Sequence, residues 1–384
     1  MKKFISILII ITMTLFFTSC KGTKQEIEKL AVVLAMGFDL TPDYKYMLTA
    51  EILNPQKQSS NSKASAEQPS KDVLVFSSTG DTPSDAINNL STDFGKNLYF
   101  GHSQFVVIGK DLAESGLSLL IDSSLRGHET RLGNQLILTK NKASSIITAG
   151  TIDEKIPSNS ILNLLKLQSI KGYSPLVSRL DFANALSSKT AAPIMSVIGM
   201  NKTSNIGATF NMSGTAVFKK DKLVGFMNIS ETRGMQWIKG KVKAGNITVT
   251  SRDNGIITFA LLKANSIVKP IVKGDSVTMQ ITIKEEANII EMTDKLDMVQ
   301  NYKIVEGLNK LQKEAIEKEV KLALNVAQKE YNADIFDFGG AIHRTYPETW
   351  KKLEKNWQDI FPTIKVEIKV NSIIKRPGLI FKPI

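Results

Sequence analysis

The chain contains one cysteine, Cys20, and this residue constrains the fold more than any other single feature. One thiol cannot close a disulfide within the chain, and no site built from several cysteines is possible. The folded part must be held by an apolar core. The length permits this: 384 residues, 42% of them hydrophobic, suggest two or three domains at ~100–200 residues each. With 22% charged and 7% aromatic residues, the composition excludes a disordered tail, a collagen-like rod and a multi-span membrane protein. The three histidines, His102, His128 and His343, lie far apart along the chain. A multi-histidine metal site is therefore not expected, and no cofactor site is visible.

The position of Cys20 sets the compartment. Lys2 and Lys3 precede Phe4 to Phe17, a run of fourteen residues that is apolar except for Ser6, Thr12 and Thr14. A spanning helix needs about 20 apolar residues, so the run is too short for a permanent anchor and suits a signal h-region. Residues 1–19 read as a lipoprotein signal peptide. Phe17-Thr18-Ser19-Cys20 resembles a bacterial lipobox, with Phe17 where an aliphatic residue is usual. That likeness implies a diacylglyceryl thioether on Cys20, cleavage just before it and an acylated amine. Several acyl chains anchor stably where one does not. The other reading is a cleaved secretory peptide with an incidental cysteine.

The net charge is +12, from 49 basic and 37 acidic residues, and only seven of the basic ones are arginine. Residues 20–200 carry 18 basic and 17 acidic side chains, whereas residues 201–384 carry 29 and 20. The excess thus belongs to the second half. Its densest part holds Lys219, Lys220, Lys222, Arg233, Lys239, Lys241 and Lys243 against Asp221 and Glu231. A solvated face is the plain reading. Contact with anionic headgroups or an acidic partner is the sharper one. Nucleic acid is not expected, because no basic-aromatic recognition motif accompanies the charge.

Periodicity points to an α+β, multi-domain chain with mixed or antiparallel sheets and packed helices. Leu30 to Phe38 and Tyr44 to Leu53 read as a hairpin, and 56–70 as a mobile low-complexity loop. A strand at Val73 to Phe76 precedes a helix opened by Thr82-Pro83, with Asp85 in its first turn. Strands at Gln104 to Ile108 and Gln135 to Thr139 flank a helix over Asp111 to Leu125. Residues 157–190 read as helical. Met195 to Asn205 loses periodicity, which places the main boundary there: an N-terminal α+β domain over 20–200, and a C-terminal α+β region over 201–384 with room for two subdomains. That region shows a hairpin (Ser213 to Phe218, Leu223 to Asn228) and strands near Ile247 to Thr250, Ile256 to Lys263 and Val277 to Ile283. A long helical pattern over Lys295 to Tyr331 carries two apolar stripes, so it is either one helix packed on two sides or two helices. Tyr346 to Phe361 reads as a short Trp-rich helix and Thr363 to Ile374 as a closing, half-exposed strand.

Catalytic motifs are absent: no GxxxxGK[ST], HExxH or GxSxG occurs. The carboxylate pairs Asp334 with Asp337 and Glu285 with Glu286 could serve acid–base chemistry only if burial raised one pKa. Capping or hydrogen bonding at a helix end is the simpler role, and the histidines likewise read as structural. A binding or scaffolding protein, not an enzyme, is expected.

Five stretches, in order, resemble the Ger(x)C family of spore germination lipoproteins. The first is Glu26-Ile27-Glu28-Lys29-Leu30-Ala31-Val32-Val33-Leu34 running to Gly37-Phe38-Asp39. The second is Phe100-Gly101-His102, then Val106-Val107-Ile108-Gly109 and Leu112-Ala113-Glu114-Ser115-Gly116. The third is Leu125-Arg126-Gly127-His128-Glu129-Thr130-Arg131, with Gly127-His128 where the family more often has Asp-Pro. The fourth is Gly214-Thr215-Ala216-Val217-Phe218-Lys219, Asp221-Lys222-Leu223-Val224-Gly225, Glu231-Thr232-Arg233-Gly234 and Trp237. The fifth is Ala333-Asp334-Ile335-Phe336, Phe338-Gly339, Pro347, Trp350, Trp357 and Phe361-Pro362. The resemblance implies an α+β, non-catalytic lipoprotein on the outer face of the spore inner membrane. It would work with the A and B membrane subunits of a germinant receptor that responds to small nutrients. Of functional residues it carries over only the lipidated Cys20, and it names no germinant.

A solute-binding lipoprotein of a transporter is the alternative, and it should show two similar lobes of βαβ units. A wall-degrading lipoprotein would need a convergent acid/base or metal constellation. The lipobox itself makes the first testable prediction. Cys20→Ala should release the protein from the membrane fraction, and mass spectrometry of the native N-terminus should find an acylated Cys20. An unmodified N-terminal residue would refute this.

Overall fold

The computed structural model describes residues 29–54, 72–127, 131–151, 154–203, 207–251, 254–274, 276–293 and 302–376. The signal peptide, Cys20, the 56–70 loop, His128 and the start of the long helical pattern lie outside them.

The first sheet is built outward from four parallel strands: β1 (Leu30–Leu40), β5 (Phe105–Gly109), β6 (Gln135–Thr139) and β7 (Ile194–Thr203). Antiparallel hairpin partners extend it on both sides. They are β2 (Tyr46–Leu53) and β3 (Val73–Gly80) beside β1, and β8 (Gly207–Lys219) and β9 (Lys222–Met227) beside β7. The short β4 (Asn97–Tyr99) adds to the start of β1 and completes nine strands. β1 and β5 are apolar almost throughout because helices cover both faces of the sheet, as parallel strands require. Alternate residues serve the two sides. Met36, Val106, Ile108, Leu136 and Leu138 face one core, which also takes α1 (Pro83–Phe94), α2 (Lys110–Ser115), α3 (Ser118–Arg126) and α6 (Arg179–Ser187). Ala35, Phe105, Val107 and Ile137 face a second core under α4 (Ala143–Ile147) and α5 (Pro157–Ile170).

The larger core continues through α7 (Ile229–Ile238) into a second, four-stranded sheet. Here β10 (Asn246–Thr250), β11 (Ile256–Lys273) and β12 (Ser276–Met292) are antiparallel, and β13 (Lys365–Arg376) joins β12 in parallel. α8 (Tyr302–Asn325) is one helix, extended by a π turn over Val326–Glu330. Of its two stripes, Leu308, Ile316, Val320 and Leu324 are buried, while Ile304, Leu311 and Ala315 are half-buried against the same core. The helix is thus packed on two sides, against α7 and against β10 and β13. α9 (Phe338–Thr345), α10 (Pro347–Leu353) and α11 (Trp357–Ile360) close the end of this half.

Several sequence expectations are corrected. The helix expected over Asp111 to Leu125 is two, α2 and α3, broken at Gly116, whose φ of 126° leaves the helical region. Ser118 starts the second by donating its N–H (3.2 Å) and hydroxyl (2.7 Å) to the Asp221 carboxylate. The 157–190 segment is likewise two helices, parted around Gly172, with φ 80°, and Pro175. Met195 to Asn205 contains most of strand β7. Its alternation was hidden by a bulge between Ser196 and Ile198 and by burial on both faces. β7 pairs with β8, so the nine-stranded sheet runs on through residue 200. The Trp-rich segment is a chain of short α and 3₁₀ turns, not one helix.

Two glycines should respond oppositely to an added methyl. A Cβ at Gly234 would overlap the Glu319 carbonyl oxygen, whereas a Cβ at Gly307 of α8 meets nothing within 4 Å. Gly234→Ala should lower stability by about 1–3 kcal/mol or more. Gly307→Ala should raise it by about 0.5–1 kcal/mol. Urea unfolding midpoints of the two variants check both signs.

Candidate functional site

Of the carboxylates singled out from the sequence, Asp334 and Glu285 are brought into the interior, Asp337 and Glu286 stay half-buried, and each has a bracing partner. Asp334 is 5% exposed. It lies in a turn, not on a helix, and accepts the N–H groups of Phe338 (3.0 Å) and Gly339 (2.9 Å), with Phe336 at 3.3 Å. These are otherwise unpaired donors at the start of α9. Burial outweighs the three hydrogen bonds and raises the Asp334 pKa to about 7. Asp337, in the left-handed region at φ 60°, accepts from the Thr190 hydroxyl at 2.8 Å and from Arg344 at 3.0 Å. The two carboxylates therefore serve different partners instead of converging on a shared site. Glu285, 1% exposed, accepts from Gln312 of α8 at 2.7 Å, and burial raises it to about 7. Its neighbour Glu286 points elsewhere and pairs with Lys375 at 3.5 Å. The pairs hold elements together, as the capping reading expects.

The histidines stand apart. His102 is exposed with its ring 5.9 Å from that of Tyr99, and His343 is exposed 6.0 Å from Trp350. Among the described residues no group of three or more His, Cys, Asp or Glu could hold a metal ion. No described helix is long and apolar enough to cross a membrane.

The basic segment divides. Arg233 is 7% exposed and interior. It sits 3.5 Å from the Glu319 carboxylate, donates to the Asn246 carbonyl at 2.8 Å and lies over the rings of Tyr173 and Trp237. Trp237 donates its indole N–H to the same Glu319 at 2.8 Å. Lys239, Lys241 and Lys243 are exposed and border a cavity of about 440 Å³ between α6, α7 and the end of α5. Lys239 anchors there on the Ile335 carbonyl at 2.8 Å. Ile170 and Leu176 in its wall are 45% and 47% exposed, so the lysines stand beside uncovered apolar surface. Lys219 and Lys220 border an adjoining cleft at the β8–β9 turn.

Comparison with known proteins gives this architecture a family. Residues 23–200 match the family described as "Spore germination protein N-terminal domain", and residues 213–378 match "Spore germination B3/ GerAC like, C-terminal". The chain belongs to the Ger(x)C family. Similar proteins of Bacillus subtilis (strain 168) include spore germination protein KC, 26% identical over 94% of this chain and 93% of that one. Spore germination protein B3 is 23% identical over 91% of each chain. The crystal structure of the GerBC protein superposes with a TM-score of 0.58, covering 88% of this chain and 96% of that one at 20% identity, and shows the same fold. The expected α+β class holds.

Seen in the structure, the fourth stretch of the Ger(x)C resemblance packs α7 and the β8–β9 hairpin against their neighbours. Gly225 leaves room for the Tyr331 ring, whose hydroxyl both donates to and accepts from the Phe226 backbone at 3.0 Å. Glu231 completes a capping box with Asn228, and Thr232 donates to Thr215 across to β8 at 3.0 Å. Gly234 lets α7 approach α8. Sequence reasoning missed the Arg233 to Glu319 pair, since 86 residues separate its members.

Glu285 makes a pH prediction. Its acid form is favoured in the folded state, so its contribution to stability is fully present below the unfolded pKa near 4.5 and is lost as pH rises towards about 7. Glu285→Gln keeps an acceptor for Gln312 and removes that titration. It should flatten the fall in stability between pH 5 and 8 and gain about 1–3 kcal/mol over the wild type at pH 8. Urea melts across that range check it, and parallel pH profiles would refute it.

Proposed function

We propose that the chain is the lipid-anchored C subunit of a spore nutrient germinant receptor, tethered through Cys20 to the outer face of the spore inner membrane. The observation that carries the reading is the order along the chain. A lipobox-like cysteine is followed at once by the N-terminal germination domain and then by the C-terminal one, over nearly the whole length. In this reading the subunit binds the A and B membrane subunits and performs no catalysis. The interior carboxylates support a structural role, since their bonding capacity goes to helix starts and helix contacts.

A tethered domain works at high effective concentration, so modest contacts suffice. The surface best suited to a sibling subunit or anionic headgroups combines Lys239, Lys241 and Lys243 with the exposed Ile170 and Leu176. Charge steers such contacts, and apolar area holds them. The solute-binding alternative finds less support, because a nine-stranded mixed sheet and a four-stranded sheet are not two similar lobes.

Spores lacking the chain should lose germination on at least one amino acid, sugar or nucleoside, read as the fall in optical density. Wild type should restore the response, Cys20→Ala should restore less, and the A and B subunits should co-purify with the wild-type chain. A variant with Lys219, Lys220, Lys239, Lys241 and Lys243 changed to Gln should recover less of them. Unchanged germination on every nutrient would overturn the receptor reading, and equal recovery would leave the lysines as a solvated face.

A further inference from the structure

A second cavity lies between the first sheet and helices α1 and α3. Its volume is about 360 Å³, within the ~300–1,000 Å³ of small-molecule pockets. The walls are apolar, with Phe38, Ile87, Phe100, Leu120 and Leu136 among them. Among the described residues one charged side chain lines it: Arg179, at the first turn of α6.

Arg179 is 2% exposed. Among the described residues no hydrogen bond or ion pair engages its side chain, and its Nη1 is buried without a partner. Burial is the cause that moves its pKa, down to about 10, and no acidic group among the described residues offsets it. An interior charge with no counter-ion is among the costliest arrangements in a fold. A carboxylate brought to it would remove that cost and gain a charge-assisted, forked contact.

We propose that this cavity binds a small monocarboxylate with an apolar body, its carboxylate seated on the Arg179 guanidinium and its body against the Phe38, Ile87 and Leu120 walls. The lining also defines what is rejected. Among the described residues no Asp or Glu lines the cavity. The hydroxyls of Ser123 and Ser124 are already donated to the carbonyls of Leu120 (3.0 Å) and Ile121 (2.7 Å). An ammonium beside the carboxylate would therefore be desolvated without an anionic partner, so a free amino acid is a worse ligand than its des-amino acid. Exposed Ser84 and Gly127 border the cavity and mark its mouth. This assignment does not rest on the receptor reading, and its failure would leave that reading untouched.

Titration calorimetry on the full-length chain in lipid nanodiscs, with empty nanodiscs as the blank, tests it. The probes are 4-methylpentanoate and phenylacetate, their primary amides, and the amino acids leucine and phenylalanine. Both carboxylates should bind, and the amides and amino acids should bind ~10- to 100-fold more weakly. Arg179→Met should melt no lower than the wild type, because it replaces an unpaired interior charge with an apolar chain. It should also bind acid and amide alike. Absence of heat with both carboxylates at millimolar concentration overturns the proposal. So does equal affinity for acid and amide in the wild type, or an undiminished acid affinity in Arg179→Met. Leucine binding as tightly as 4-methylpentanoate would overturn the selectivity. Should Arg179→Met fail to fold, the acid-against-amide comparison on the wild type decides alone.

Discussion

The contact between α7 and α8 is the interaction on which the two halves depend. Arg233 and Trp237 leave one face of α7 and meet a single carboxylate, Glu319, on α8. Arg233 also donates to Asn246 at the start of β10, and Thr232 reaches back to β8. One short helix thus touches the nine-stranded sheet behind it and the long helix of the four-stranded sheet in front. The approach is close enough that residue 234 must lack a side chain. Burial raises the Glu319 pKa, and the arginine and indole N–H compensate. Breaking one partner would leave the others charged or unpaired in the interior, which costs more than the net worth of the pair.

The two family matches meet between residues 200 and 213, and that junction carries the core across the division. The larger core runs from β1 through α7 to β13 without interruption. The first sheet places its parallel strands centrally, where helices shield both faces, and its antiparallel hairpins outside. The second sheet packs against α7, α8 and α9, and β13 keeps the alternation of a half-exposed strand.

What was legible in the sequence follows from how local each signal is. Thr82-Pro83-Asp85 set the start of α1, and the structure shows the Thr82 side chain accepting from the Asp85 N–H. The β1–β2 and β8–β9 hairpins and the alternation of β13 were equally local. Strand β7 was not, because its bulge and double burial erase the period that would announce it. The division of the helical stretches turned on single positive-φ glycines, Gly116 and Gly172, whose role depends on what they pack against. The candidate site was the least legible. A carboxylate pair three residues apart looks like chemistry until the chain is seen to turn between Asp334 and Asp337.

The interior charges themselves separate structure from function. Asp39 accepts the N–H groups of Ala143 (2.7 Å) and Ser144 (2.9 Å) at the start of α4, and Glu51 accepts from Ser158 (2.7 Å) at the start of α5. Asp334 does the same for α9, and Asp221 for α3. For Asp39, Glu51 and Asp334 the cost of burying an anion is offset by donors that a helix start leaves open; Asp221 meets such donors nearer the surface, and the dipole there favours the negative charge. These groups need no ligand to account for them. Arg179 breaks the rule: it is cationic at a helix start, where the dipole is unfavourable, it lacks an acceptor among the described residues, and it faces an apolar cavity. A residue that destabilises the empty fold on three counts is one whose environment is completed by something else. Beside Asp39, Glu51 and Asp334, whose carboxylates are held by helix-start donors, that exception points to the binding chemistry.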